Sequence, residues 1–560
     1  MALCISLVKN ALLRAARASR RALHRGLVLA GGLLFVGSAL AQTPVLPGFA
    51  ELEAAGATIG KITVVSRDIF DTADPKEDYL LFRWANALHI RTRAGVVERA
   101  LLFKTGEPVS IRAIDETERL LRRYRYLYDV QFRPLSYEGG VVDIEVSTRD
   151  TWSLSLGIHL SRSGGANASG IQIEEENLFG TGTSLGFGRS NNVDRSSNEF
   201  SIANDHAFGT WTAMSYRHAK NSDGGVDEFA VVRPFYSLDT RWAAGVTGLK
   251  DDRIEPIYNA GKVVSEYRRR QRRAEIFGGW SAGLSGGWTQ RYSLGVSASE
   301  HNYSFEPGRV PPAELQPNEK LVGPFVRYQL IEERFAKAVN RNIMGRPEFF
   351  ALGLASTVQL GWASTALGSS KNALQYAGAV SRGFEPGPDQ TLMTAARISG
   401  QLADGGVQRQ QLGGDTQYYL PHGKRWLFYA AASADVLTRP EANEYLVLGG
   451  DNGLRGYPLR YQNGTQRALF TAEERFYTDL YLWRLFRIGG AAFFDTGRAW
   501  GGDNTNATNP GWLSDAGLGL RIVSARSAFS NVLHIDLAFP LNVTSGIDRV
   551  QLIVVTKASF

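Results

Sequence analysis

Two overlapping Gly-x-Ser-x-Gly patterns, Gly279-Trp280-Ser281-Ala282-Gly283 and Gly283-Leu284-Ser285-Gly286-Gly287, have the spacing of a hydrolase nucleophile. Such a serine acts from a sharp strand-to-helix turn with Asp and His partners. Here the surroundings read as a glycine-rich turn between two strands, so no hydrolase is expected. The eight histidines have no metal-ligand spacing and Cys4 is the single cysteine, so neither a metal site nor a cofactor is expected. One further stretch has an unusual composition: "LGGDNGLRGYPLRY", Leu448 to Tyr461, sets Arg455 among glycines in a segment without helical or strand period. A phosphate-binding loop would follow its glycines with lysine and a hydroxyl residue, and this one does not.

The elements around these residues point to a β protein. Sixty glycines, 11% aromatics and only 20 prolines in 560 residues favour many short strands and turns. Lys9, Arg14, Arg17, Arg20, Arg21 and Arg25 precede the apolar run Gly26 to Val36 and then Ser38-Ala39-Leu40-Ala41. That order reads as a secretory leader over 1–41, cleaved before Gln42. The apolar run is too short to span roughly 30 Å of hydrocarbon. The leader carries six of the 62 basic residues and none of the 55 acidic ones, which leaves the remainder near charge balance and removes electrostatic support for nucleic-acid binding.

Residues 42–56 read as a linker and 57–149 as a small mixed α/β domain. Ile59 to Val65 is strand-like. Ser110 caps a helix that places Ile114, Leu121 and Tyr124 on one face, with Asp115 and Glu116 in its first turn. Two strands then flank Glu138-Gly139-Gly140. From 150 to 560 the pattern is period two with Gly/Asn/Asp turns. Segmentation gives twenty strands, starting near 152, 169, 182, 196, 210, 226, 240, 262, 286, 319, 348, 371, 390, 407, 426, 466, 485, 513, 531 and 549. Short connections after even-numbered strands and several long ones after odd-numbered strands suit a transmembrane β-barrel. In "VQLIVVTKASF" the residues Leu552, Val554, Thr556, Ala558 and Phe560 share one lipid-compatible face.

The α/β segment, with its Phe103-x-x-Gly106-Glu107 turn, resembles a single POTRA domain. Together with the barrel pattern, "GLRGY", Phe493-x-Asp495-x-Gly497, "GLGLR" and the terminal Phe560, it makes residues 57–560 resemble the outer-membrane protein assembly factor superfamily, also called the bacterial surface antigen family. The resemblance implies sixteen strands, against twenty by segmentation. It also implies a loop motif, Leu454-Arg455-Gly456-Tyr457, folded into the lumen, with the arginine meeting acids on the wall. Asp495 is one partner. The other is Glu473 or Glu474. Glu473 shares strand parity with Arg475, which leaves Glu474 facing outward, where it is tolerable near an interface. Phe560 would serve as the C-terminal insertion signal.

The implied function is insertion of proteins into, or translocation across, the bacterial outer membrane. The POTRA-like domain would lie in the periplasm and capture unfolded client proteins by adding a strand to its sheet edge. The seam between Thr151–Leu160 and Gln551–Phe560 would open. A passive pore or plugged structural barrel is the alternative. Expected partners are clients, the barrel insertion machinery, membrane lipid and lipopolysaccharide. "YRRRQRRAE", Tyr267 to Glu275, is either a solvated rim or a contact for lipopolysaccharide phosphates. Residues 68–92 exceed what a minimal POTRA domain needs.

Overall fold

The computed structural model describes residues 46–502, 511–528, 531–543 and 546–557. The leader and Phe560 therefore lie outside the described residues. The N-terminal domain runs α1 (Phe49–Ala54), β1 (Thr58–Arg67), α2 (Leu80–Leu88), α3 (Ala94–Arg99), α4 (Ile111–Leu121), β2 (Leu127–Glu138) and β3 (Val141–Asp150). Its sheet has the order β1-β3-β2, with β1 parallel and β2 antiparallel to β3. The segment expected to be a linker differs. It carries α1, whose Leu52 is fully buried with Val97, Ile114, Leu121 and Ile144 in the domain core.

Ser110 does cap α4, accepting from Ala113 N at 3.4 Å. Glu116 has another role than the expected first-turn charge. It turns toward the barrel and accepts Leu238 N at 2.8 Å. Burial raises its carboxyl above the ordinary range, against the lowering effect of that N–H and of Arg119 and Arg112.

Twenty strands then close into a barrel. They are β4 (Leu154–Ser163), β5 (Ala166–Glu175), β6 (Thr183–Asn191), β7 (Ser196–Ala207), β8 (Thr212–Asn221), β9 (Gly224–Arg233), β10 (Trp242–Asn259), β11 (Lys262–Ser285), β12 (Trp288–Phe305) and β13 (Glu319–Glu332) in the first half. A short separate hairpin, β14 (Phe335–Val339) and β15 (Pro347–Ala351), intervenes. The second half has β16 (Ala355–Ala363), β17 (Ala373–Phe384), β18 (Thr391–Ala403), β19 (Gly406–His422) and β20 (Trp426–Thr438). After the minor pair β21 (Leu446–Leu448) and β22 (Gln462–Gly464) come β23 (Gln466–Leu482), β24 (Phe486–Trp500), β25 (Leu513–Ser524), β26 (Val532–Pro540) and β27 (Gln551–Lys557).

The sixteen strands implied by the resemblance are thus corrected to twenty, because twenty strands each find a neighbour on both sides. Barrel diameter grows with strand number, which leaves a wide lumen to fill. One start is also corrected. The strand expected near 348 is β15 of the separate hairpin, and the wall resumes at Ala355.

Connections after even-numbered wall strands gather at the end of the barrel that meets the N-terminal domain. Arg112 reaches Asp239 at 2.5 Å, the Tyr124 hydroxyl and His206 Nε2 are 2.6 Å apart, and Asn177 donates to Thr92. The segment 68–92 forms part of this junction. Phe70 stacks on Phe82 at 3.9 Å, and both join Ile69 against Trp152 and Leu485 of the barrel end. Glu77, nearly buried, accepts from Arg149 at 2.5 Å and from Arg526.

Removing Glu77 leaves two guanidiniums in this junction without their carboxylate, the situation in which a broken buried pair costs roughly 3 to 5 kcal/mol. Glu77→Ala is expected to expose the 68–92 segment to limited proteolysis while the barrel keeps its heat-modifiable gel mobility. Unchanged protease resistance would show that the junction does not depend on this carboxylate.

Candidate functional site

Alternation along β23 and β24 sets the site. Glu473, Arg475 and Tyr477 are buried on one face of β23, and Phe493 and Asp495 are buried on the matching face of β24. The loop 439–465 folds onto this wall from the end away from the N-terminal domain. Arg455 Nε and Nη2 donate to the two oxygens of Asp495 at 2.7 and 2.9 Å, and Nη1 donates to Glu473 Oε1 at 2.8 Å. The guanidinium also lies 3.5 Å from the centroid of the Phe493 ring. Burial would lower the arginine's pKa, but Asp495 and Glu473 raise it above its ordinary value.

The other residues of the motif explain why the loop can come so close. A Cβ on Gly456 would stand 2.6 Å from Cβ of Asp515, so glycine is needed there for contact with the wall. Tyr457 is fully buried and donates its hydroxyl to Ser514 O at 2.8 Å. Leu454 packs with Leu448, Tyr461, Leu513 and Ile547. A Cβ on Gly497 would press on Ala468 O and Leu448. The loop also reaches the first wall strand. Leu459 N donates to Gly164 O at 3.0 Å and Ser163 Oγ to Gly450 O at 2.5 Å. On the far side Arg460 grips Asp194 at 2.8 and 3.0 Å.

Sequence reasoning assigned no partner to three further members of the network, Asp536, Arg521 and Arg475. Asp536 of β26 sits 3.5 Å from Arg455 Nη1 and pairs with the fully buried Arg521. The available signal was polar His534 and Asp536 at alternate positions of an otherwise apolar strand. Arg475 donates to Glu473 Oε2 at 2.9 Å and, through Nη1, to Arg341 O at 3.0 Å.

Arg341 belongs to the 333–354 connection, which enters the lumen from the domain end. Its Met344, Phe350 and Leu352 pack against Tyr419, Leu427, Tyr477 and Val523 of the wall. Its other side touches the N-terminal domain, through Lys337 to Glu118 at 2.9 Å and Arg346 to Leu127 O at 3.4 Å. This long connection follows β13, the tenth wall strand, against the length pattern read from sequence.

Other expected features fall as follows. Glu474 points outward and pairs with His422 at 2.8 Å, close to the turn after β19. Ser281 and Ser285 lie at the end of β11, where the chain turns directly into β12, and Ser281 Oγ donates to Gln290 O at 2.7 Å. The 24-residue β11 is more than twice the roughly 9 to 11 residues needed to cross a bilayer. Four of its five arginines are paired across strands, Arg268 and Arg270 with Asp252, Arg269 with Asp251 and Arg272 with Glu300. That favours the solvated rim over a dedicated phosphate site. Among the described residues no cluster of three or more His, Cys, Asp or Glu could hold a metal ion.

The seam is the other distinctive geometry. Neighbouring wall strands elsewhere share seven or more registered residue pairs. Between β27 and β4 the described residues show one, Val554 with Arg162.

A family model described as the Omp85 superfamily domain matches residues 177–555. Similar solved structures include BamA from Haemophilus ducreyi lacking POTRA domains 1–3, at 13% identity and TM-score 0.39, covering 88% of this chain and 84% of that one. CdiB from Acinetobacter baumannii is 13% identical at TM-score 0.40, with 89% and 73% covered. CdiB from Escherichia coli is 12% identical at TM-score 0.46, with 89% and 76% covered. No curated protein matches the sequence.

Arg455→Ala removes the central cation from three carboxylates. A buried pair broken on one side costs roughly 3 to 5 kcal/mol, less where lumen water screens it. Arg455→Lys keeps the charge but loses the fork to Asp495, so it is expected to recover only part of the loss. Protease accessibility of the 439–465 loop and the temperature of the heat-modifiable gel transition read both effects. A wild-type profile for Arg455→Ala would refute the lock.

Proposed function

The chain belongs to the Omp85 superfamily, and from that premise we propose that it inserts or translocates client proteins at the outer membrane, with its N-terminal domain in the periplasm. A β-barrel of this superfamily implies the outer-membrane location. The single observation that carries the proposal is the sparse pairing of β27 with β4 among the described residues. A sparsely paired edge offers backbone N–H and C=O groups to an incoming strand. Client proteins would first add to an edge of the POTRA-like sheet, where specificity comes from backbone pairing and needs no deep pocket.

The available edges are restricted. On β2, Arg122 already donates to Val130 O at 2.9 Å and Pro134 removes one donor, while the start of β1 is covered by Gly106 and Glu107. Gln131 to Tyr137 of β2 and Ile62 to Arg67 of β1 are the remaining lengths. The leader over 1–41, the insertion role of Phe560 and contacts with insertion machinery or lipopolysaccharide belong to the same proposal. No catalysis and no cofactor form part of it.

A second reading has its own support. The lumen is entered from one end by the 439–465 loop and from the other by the 333–354 hairpin, which suits a plugged structural barrel.

Cysteines separate the two. The observed register places them at Arg162 and Val554, and strand neighbours of this kind lie within disulfide reach. With Cys4 replaced, the Arg162→Cys/Val554→Cys bridge is expected to abolish client assembly under oxidising conditions, with recovery on reduction, and to leave barrel mobility and ion conductance unchanged. Wild-type client assembly by the fully crosslinked barrel would eliminate lateral opening and favour the plugged barrel.

A further inference from the structure

The segment that the POTRA pattern does not require carries a nine-residue helix, α2, whose two sides differ sharply. Phe82 is buried against Phe70, and Asn86 closes this side by accepting Phe70 N at 3.1 Å and donating to Phe70 O at 2.8 Å. The opposite side carries Leu80, Leu81, Trp84 and Leu88, which are 66%, 64%, 61% and 75% exposed. Isolated exposed apolar residues are ordinary, but a contiguous set of this size on one short helix marks a contact surface.

The location identifies the occupant. The buried side of α2 packs in one cluster with Leu485 and Trp152. Leu485 lies in the turn joining β23 to β24, and Trp152 immediately precedes β4. Next to Leu485 the outward-facing Leu480, Leu482 and Trp483 are exposed, Trp483 to 75%. Trp242, Trp280 and Trp426 are also exposed near the domain-end limits of their strands. Aromatic girdles of this kind mark the membrane interface of a barrel. The exposed apolar face of α2 therefore lies at the same end of the barrel as these exposed tryptophans.

We infer that α2 is a membrane-surface helix, which seats Leu80, Leu81, Trp84 and Leu88 in the lipid leaflet on the domain side of the barrel, beside the β27–β4 seam. A short amphipathic helix with Trp and Leu on one face lies in the interface plane with that face among headgroups and upper acyl chains. Arg83 and Arg91 flank the face and are paired to Asp78 and Asp68. The attachment therefore rests on apolar burial and does not require anionic lipid. It depends on the barrel being in a bilayer and not on client transport.

The test uses the full chain with Cys4 replaced, reconstituted one barrel per nanodisc in phosphatidylethanolamine and phosphatidylglycerol. Nitroxide labels go on Leu81→Cys and Leu88→Cys. A label on Leu294→Cys, a lipid-facing position of β12, and one on Ala73→Cys, exposed near the start of the segment, serve as references. Expected is an oxygen-to-nickel-chelate accessibility ratio at 81 and 88 severalfold above that at 73 and close to that at 294. Heat-modifiable mobility checks that each variant is folded. Folded variants whose 81 and 88 labels match the aqueous reference at 73 would overturn the inference, since no other protein is present to cover the face. The label at 294 reads lipid in either case, so failure here is separable from failure of the proposed transport function.

Discussion

A guanidinium taken into the interior of a barrel must find fixed acceptors, because an unpaired charge there costs several kcal/mol. Arg455 meets that requirement by accepting one exact partner geometry: both oxygens of Asp495, one of Glu473, and the ring of Phe493 beneath it. The consequences spread outward. Asp495 and Glu473 must occupy matching faces of β23 and β24, which sets the register of those strands. Residue 456 must be glycine for the loop to reach Asp515. Once held, the loop in turn holds the Gly164 end of β4 through Leu459 and Ser163. One buried ion pair thus contributes to the order of the first wall strand.

The network does not stop at the loop. Glu473 is shared between Arg455 and Arg475, and Arg475 is also anchored to the carbonyl of Arg341 on the opposite insertion. Asp536 is likewise shared between Arg455 and Arg521. Glu473 and Asp536 each lie between two cations, which offsets desolvation better than isolated pairs would. The 333–354 hairpin that supplies Arg341 also contacts Glu118 and Leu127 of the N-terminal domain. A continuous set of polar contacts therefore connects that domain with the loop from the far end of the barrel. Such contiguity permits coupling, which only a measured change at one end on perturbing the other would demonstrate.

The legible part of this architecture was the part that a period of two can carry. Alternation located the wall strands closely, and parity selected Glu473 over Glu474. The misplaced start at 348 has a physical cause: β15 and β16 both alternate, and nothing in the pattern says which one joins the wall. Leu52 was lost because one helical turn between Pro47 and Gly56 is too short to show a period. Arg475 was read as a lumen residue, but its bond to a backbone carbonyl across the chain leaves no trace in residue types. The role of 68–92 was hidden for a similar reason, since Phe70 and Phe82 gain meaning only when the barrel turn at Leu485 comes beside them.

The two insertions and the sparse seam can be ranked by their energies. Clearing the lumen would break the buried ionic contacts of Arg455, whose one-sided loss costs roughly 3 to 5 kcal/mol, and the Arg475–Arg341 carbonyl hydrogen bond, and would expose the apolar clusters around Tyr457 and Met344. Among the described residues, parting β27 from β4 gives up the pairing at Val554 and Arg162, and a backbone hydrogen bond contributes only about 0.5 to 1.5 kcal/mol net. In lipid the freed groups cost more, because no water replaces the lost partner, but a client strand supplies those partners as it enters. The ledger favours yielding at the wall while the lumen stays filled. On the proposed function, the plug and the gate are then complementary: the buried arginine network keeps the lumen closed and leaves the β27–β4 edge as the compliant part of the barrel.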